Sequence, residues 1–334
     1  MFVGINYAWR NYAWDFGQPP VSDTGSPWGL RAAWTSTIEE ELRHFTVLGL
    51  KVVRWFLVGD GTTLGVGDQR PVPDKNRPDQ WRFHDIPELS AAWLADFTLL
   101  LEHFEKVKLQ MIPSILDFHF CYPGVPVLGA PLVKCGRADA LLDPVKQRKL
   151  IERVVDPIIA VCARFPETVY ALELFNEPEW CTDDAMWPHK NKVVPLVAMQ
   201  DFVSEGARRI NRAGLRSTVG FAKHRSMKAW DSPGLGLTLH QWHHYLDPEE
   251  VPDNDMSPFG PCIVGEFPSA RWKRWPELED DQSTTARLSL LARKGYDGAL
   301  LWSANREEEK IAEPVVDWSQ RVQDEVASFT AQNA

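Results

Sequence analysis

Residues 169–180 read Val-Tyr-Ala-Leu-Glu-Leu-Phe-Asn-Glu-Pro-Glu-Trp, and the placing of every other element follows from them. Tyr170, Ala171, Leu172, Leu174 and Phe175 form an apolar run of the kind found in strands buried on both faces of a parallel sheet. The run breaks at Asn176 and Glu177, and Pro178 follows at once, where it cannot donate to a strand ladder and ends the strand. A carboxylate is thereby held at a strand's carboxyl end. In a barrel of alternating strands and helices, that end is the face that carries chemistry. The bland alternative is that Asn176-Glu177-Pro178 only turns the chain.

A second stretch repeats the pattern. Residues 261–269 read Pro-Cys-Ile-Val-Gly-Glu-Phe-Pro-Ser, an apolar strand running into Glu266. Two acids at the ends of two strands of one barrel can face each other across its mouth, the arrangement that glycoside hydrolysis requires.

The intervening chain alternates in the same sense. Strands are expected over 2–7, 52–57, 109–116, 217–221, 237–245 and 298–302, short runs rich in apolar residues, of which 237–245 has an exceptionally polar end. Helices are expected between them. One starts at Thr35 or Ser36, carries Ile38, Leu42, Phe45 and Leu48 on its inner face, and is stopped by Gly49. Others carry Leu89 to Phe104, Leu150 to Phe165, residues 196–213 with Gly214 as the stop, 286–294 and 315–329. With the strands ending in Glu177 and Glu266, the count reaches eight. The expected fold is α/β, a (β/α)8 TIM barrel in a single domain over residues 1–334, with long loops at 59–88, 117–143 and 246–261.

Arg54 interrupts the apolar strand 52–57, and an unpaired buried charge costs several kcal/mol. Its expected partner is a catalytic carboxylate, with a salt bridge beneath the barrel as the alternative.

Composition fits an enzyme with a large core: 44% hydrophobic and 25% charged residues in 334. A net charge of −10 argues against nucleic acid or an anionic membrane as partner and leaves a neutral ligand. Fifteen tryptophans suit the faces of sugar rings, although about half are expected in the core. No run of about 18 apolar residues is present, so no helical membrane span is expected. The amino terminus shows no basic segment followed by a longer apolar run, which implies a cytoplasmic protein as written and a secreted one if a leader was removed. Cys121, Cys135, Cys162, Cys181 and Cys262 lack paired spacing and read as free buried thiols. Neither a Gly-rich phosphate loop nor a cofactor motif is present.

Taken in strand order, Arg54, Asp117-Phe118-His119, Asn176-Glu177-Pro178, His243 with Tyr245, Glu266 and Trp302 resemble the active-site set of clan A glycoside hydrolases, most closely glycoside hydrolase family 5. The resemblance implies a retaining double displacement on a β-linked neutral saccharide of the mannan or glucan type. Glu266 would be the nucleophile and Glu177 the acid and base. Arg54 and Tyr245 would hold Glu266 ionised, and an anionic Glu266 would raise the pKa of Glu177. Asn176 would bind the sugar 2-hydroxyl, and His119 and His243 would contact the sugar or steady the carboxylates. Trp302 would floor the subsite; Trp180, just after the acid and outside the family's pattern, is expected as a further substrate contact. No cofactor is implied. Two other readings stand beside it: a silent barrel that only binds carbohydrate through its tryptophans, and a metal-dependent hydrolase with ligands from His240, His243 and His244, against which strand alternation sets His243 and His244 on opposite faces.

Overall fold

Strand alternation writes the interior of this molecule as layers. Val52 and Arg54, Ile112 and Ser114, Ala171 and Glu173, Leu239 and Gln241 are each two residues apart, so each pair projects from one face of its strand. The first member of each pair joins Ile263 and Leu300 in a buried apolar cluster, with Phe2 and Tyr170 against it. The second members form a polar layer directly above.

In the computed structural model, residues 1–10, 15–17, 35–64, 71–126, 133–183, 192–245, 250–270, 276–278, 281–304 and 316–333 are described. Eight strands close into a parallel barrel: β1 (Phe2–Asn6), β2 (Val52–Gly59), β3 (Gln110–Asp117), β4 (Leu172–Asn176), β5 (Ser217–Phe221), β6 (His240–His243), β7 (Cys262–Pro268) and β8 (Gly298–Trp302). Each strand pairs with its neighbours in sequence, and β8 returns to β1. The expected (β/α)8 barrel is the observed one.

Outside the strands lie α1 (Thr35–Val47), α2 (Ala91–Val107), an interrupted α3 (Pro144–Leu150 and Asp156–Cys162), α4 (Leu196–Arg212), α5 (His224–Ala229), α6 (Thr284–Arg293) and α7 (Gln320–Gln332). The outward strand residues, such as Val53, Trp55 and Leu174, pack against Ile38, Leu42, Phe97, Leu101 and Phe202 of these helices in one continuous core. Ser90 caps α2 by accepting from the Trp93 N–H, and Ser283 caps α6 through Ala286. Gly49 and Gly214 both adopt left-handed backbone where α1 and α4 stop, as expected of helix-ending glycines.

Several expectations shift. The helix expected from Leu150 to Phe165 begins earlier, at Pro144, and contains a π turn over Ile151–Val155. Pro157, at the start of the second segment, has no N–H for the regular bond and its ring crowds the preceding turn, so the helix widens there. The sixth strand is four residues, His240–His243, rather than 237–245. α5, between β5 and β6, went unforeseen because six residues carry too little periodicity to register. The last helix starts at Gln320 rather than 315.

None of the five cysteines is in a disulfide; four are buried and Cys135 is half-buried. No helix among the described residues is long and apolar enough to cross a membrane. Most of the Trp-rich segment between Trp9 and Thr35, parts of the loops 59–88, 117–143 and 246–261, and all of 184–191 lie outside the described residues.

Candidate active site

The carboxyl ends of the strands converge on two glutamates. Glu266 lies on β7 with its side chain 5% exposed; Glu177, directly after β4, is 13% exposed. One carboxylate oxygen of each and Nδ1 of His243 all lie within 4.8 Å of one another. His243 sits between them, its Nδ1 2.7 Å from Glu177 Oε1 and 3.6 Å from Glu266 Oε1.

Glu177 is held by backbone as much as by side chain. Its N–H donates to the Gly220 carbonyl at 2.6 Å, and its φ of 47° places a non-glycine residue in the left-handed region, a conformation that costs on the order of 1–3 kcal/mol and persists only where the surroundings impose it. The strained turn lifts the carboxylate out of the strand and into the mouth. The Trp180 indole N–H donates to its Oε2 at 2.8 Å.

Glu266 is gripped on both oxygens. Arg54 Nη1 donates to Oε1 at 2.6 Å, and the Tyr245 hydroxyl donates to Oε2 at 2.6 Å. Arg54 itself is wholly buried. A carboxylate is expected to pair with it, and two do: besides Glu266, Arg54 forks onto Glu173, with Nε to Oε2 at 2.7 Å and Nη2 to Oε1 at 2.6 Å. Asn6 and Asn176 accept from the same guanidinium at 3.0 and 2.6 Å. Burial alone would lower the pKa of Arg54, but the charges of Glu173 and Glu266 carry it above its ordinary value.

The two glutamates are not electrostatically alike. Burial, then the charge of Asp117, pushes Glu177 up to about 7 against the opposing pull of the Trp180 hydrogen bond and Arg54. The expected cause, an anionic Glu266, is not among the leading ones; burial dominates because most of the carboxylate is out of water. Glu266 is also raised by burial, while His243, Arg54 and the Tyr245 hydrogen bond work to lower it. His243 is driven down to about 4, chiefly by its own burial, and is neutral at ordinary pH.

Asn176 lies at the end of β4 with its Nδ2 donating to Asp117 Oδ2 at 2.7 Å. His119 does not touch either glutamate: its Nδ1 pairs with Asp117, and its side chain is 47% exposed at the rim. Burial disfavours the charged imidazole, but the Asp117 contact raises its pKa overall.

Of the nine described tryptophans, Trp55, Trp93, Trp230, Trp242 and Trp318 are buried in the core, so their rings are unavailable to a ligand. Trp180 and Trp302 are half-buried and sit at the mouth. Trp302 closes β8 and packs edge-on against Phe56, which in turn meets Trp9. Trp180 belongs to a second group with Phe118, Tyr122 and His119 beyond β3 and β4. Because β4 and β8 are opposite in the ring of strands, the two aromatic groups flank the carboxylates from opposite sides.

The three histidines considered as a metal set do not meet. His240 pairs with Ser232 through Nδ1, and His244 packs against Trp242 on the face away from His243. Among the described residues, the group close enough to hold a metal ion is Glu177, His243 and Glu266.

Sequence reasoning overlooked Glu173, Asn6, Ser114 and Gln241, all buried in the polar layer. The signal for Glu173 was present: it interrupts an apolar strand exactly as Arg54 does, and two opposite charges in two core strands call for each other.

No protein-family model matches the chain, and no curated protein does. Among solved structures, the endo-1,4-beta-mannanase of Eisenia fetida superposes with a TM-score of 0.66 at 17% identity, over 98% of this chain and 89% of that one. The beta-mannanase of the blue mussel Mytilus edulis gives 0.64 at 18%, over 98% and 91%. The beta-1,4-D-mannanase of Cryptopygus antarcticus gives 0.68 at 15%, over 98% and 90%. The chain shares the barrel of these proteins over almost its whole length.

Proposed function

We propose that this protein is a retaining glycosidase that cleaves β-linked neutral saccharide of the mannan type. The observation that carries the proposal is the pair Glu177 and Glu266: carboxylate oxygens within 4.8 Å, one gripped by a cation and a phenol, the other pushed up to about 7. Retaining hydrolysis needs carboxyl groups about 5–5.5 Å apart, whereas inversion leaves roughly 6.5–9.5 Å for a water. Pairs of acids whose surroundings treat them differently supply the nucleophile and the acid.

In the first step a Glu266 oxygen attacks the anomeric carbon as Glu177 passes its proton to the departing glycosidic oxygen, leaving a glycosyl ester on Glu266. In the second step Glu177, now ionised, takes a proton from water; the water oxygen attacks the same carbon and Glu266 departs as carboxylate. Neutral His243 bridges the two acids without adding charge, so the proton stays on Glu177 until the bond breaks. Asn176, aimed by Arg54 and Asp117, keeps one amide N–H for the sugar 2-hydroxyl. The aromatic groups around Trp302 and Trp180 provide flat faces for rings on either side of the scissile bond. The mannan preference is supported by the three solved neighbours, each a beta-mannanase.

Products from β-mannan, β-glucan and short manno-oligosaccharides, followed by NMR of the newly formed reducing end, test the proposal. Release of β-anomer first, and from mannan above glucan, is the expected result. The α-anomer appearing first would overturn retention, and binding without hydrolysis across the panel would leave the carbohydrate-binding barrel.

Glu177 also sets the alkaline side of the pH profile. The limb of kcat/KM is expected near pH 7, because turnover needs Glu177 protonated. Trp180→Phe keeps the ring but removes the donor that favours the charged form, so the pKa of Glu177 rises. The alkaline limb then moves up by up to about one pH unit. A limb that stays in place, with only KM altered, would reduce Trp180 to a stacking surface.

A further inference from the structure

One carboxylate at the centre of the barrel takes no part in the double displacement. Glu173, in the middle of β4, is wholly buried, and its two oxygens are fully engaged. Oε1 accepts from Ser114 Oγ at 2.7 Å and Arg54 Nη2 at 2.6 Å; Oε2 accepts from Arg54 Nε at 2.7 Å and Gln241 Nε2 at 2.6 Å. Space for this is built in: a Cβ on Gly265 would lie 2.6 Å from Gln241, and one on Gly220 2.9 Å from its Nε2. Two strands thus give up a side chain so that Gln241 can reach Glu173.

The consequence falls on Arg54. A guanidinium is planar with five N–H donors in a fixed fork, so holding one edge aims the others. Glu173 takes the Nε and Nη2 edge. What remains is directed outward: Nη1 to Glu266 and Asn6, and the second N–H of Nη2 to Asn176. All five donors are spent, and both residues they reach at the mouth belong to the proposed chemistry.

Charge points the same way. Glu266 is faced by Arg54 from β2, by Glu177 from beyond β4, and by His243 and Tyr245 from β6 and its exit. Asp117 at the end of β3 reaches this group through Asn176, and β1 and β8 offer the uncharged Asn6 and Trp302. Arg54 is the lone cation among these described groups, and it is divided between two carboxylates. A guanidinium wholly available to Glu266 would stabilise the anion more and blunt it as a nucleophile.

We propose that Glu173 is a positioning residue for the displacement: it locks the plane of Arg54 so that one N–H meets Glu266 and another meets Asn176, and it offsets the Arg54 charge so that Glu266 stays reactive. The proposal rests on the glycosidase reading. The two fail separately, since absence of hydrolysis by the unsubstituted protein removes that reading before any variant is compared.

Glu173→Gln keeps the shape and removes the charge. With substrate hydrolysed by the unsubstituted protein, kcat/KM is expected to fall about ten- to a hundredfold, the scale of a small misalignment. The acid limb of its pH profile moves down, because Glu266 gains an undivided cation. Glu173→Asp restores the charge and returns the limb, while its shorter reach leaves part of the rate loss. An acid limb that is unmoved or displaced upward in the folded Gln variant would overturn the proposal, as would unchanged kcat/KM. Circular dichroism and the melting temperature establish that the protein compared is folded. Should Glu173→Gln not fold, Ser114→Ala takes its place, since it removes one donor to Glu173 and touches no charge. A loss of about two- to fivefold in kcat at constant KM, a small effect because Arg54 and Gln241 still hold the Glu173 carboxylate, supports the proposal, and unchanged kcat overturns it.

Discussion

Glu266→Ala is expected to lower turnover by about 10⁴-fold or more, since it removes the atom that forms the covalent bond. The fold should survive the change. Arg54 keeps its fork on Glu173 and its bonds to Asn6 and Asn176, so no buried charge is left alone, and the lost side chain opens onto the mouth. The space left between Arg54 Nη1 and the Tyr245 hydroxyl, both formerly donors to Glu266, suits a small anion. Azide or formate placed there attacks the anomeric carbon from the side Glu266 used, and no second displacement follows. The product is therefore the α-glycosyl azide or formate, opposite in configuration to the normal product. Restored cleavage of an aryl β-glycoside with that product, identified by NMR, is the expected result. Normal turnover by Glu266→Ala without added anion would remove Glu266 from the mechanism.

Glu177→Ala is expected to show a loss that depends on the leaving group. Proton donation in the transition state is worth about 10²–10⁴-fold, and an unactivated saccharide needs all of it. An aryl glycoside whose phenol departs unaided does not. With such a substrate, formation of the glycosyl ester proceeds while its hydrolysis stalls for want of a base, and a burst of phenol followed by slow turnover is the signature. Azide relieves the stall by attacking the ester directly, and because this is a second displacement its product is the β-glycosyl azide. Opposite azide products from the two variants assign the two roles independently of any rate. The alkaline limb near pH 7, carried by Glu177 itself, should also vanish from the variant's profile. Equal losses on activated and unactivated substrates would contradict an acid at this position.

Both variants act on residues that single-sequence reasoning could name, and the reason is local. A carboxylate that ends an apolar strand and is followed by a breaker is conspicuous in one dimension, as are the eight alternating segments that close the barrel. The inner layers follow from a period of two along each strand. What periodicity does not carry is the partner across the barrel. Arg54 was visible as a charge in need of company, but Glu173 is 119 residues away in the chain, and only closure of the barrel brings them together. Short elements were less legible for the opposite reason: α5, with six residues, carries no readable pattern, and β6, expected over 237–245, keeps only four residues, because both are set by packing more than by pattern.

The chain's order of apolar and polar residues therefore determined the barrel, the identity of the two glutamates and the end of the barrel on which they lie, because each depends on neighbours within a few residues. Tertiary structure alone decided how the glutamates differ. The positive φ of Glu177, the sharing of one guanidinium between Glu173 and Glu266, and the neutral imidazole between the two acids arise from groups on separate strands, whose fields act through space and add only once those strands meet.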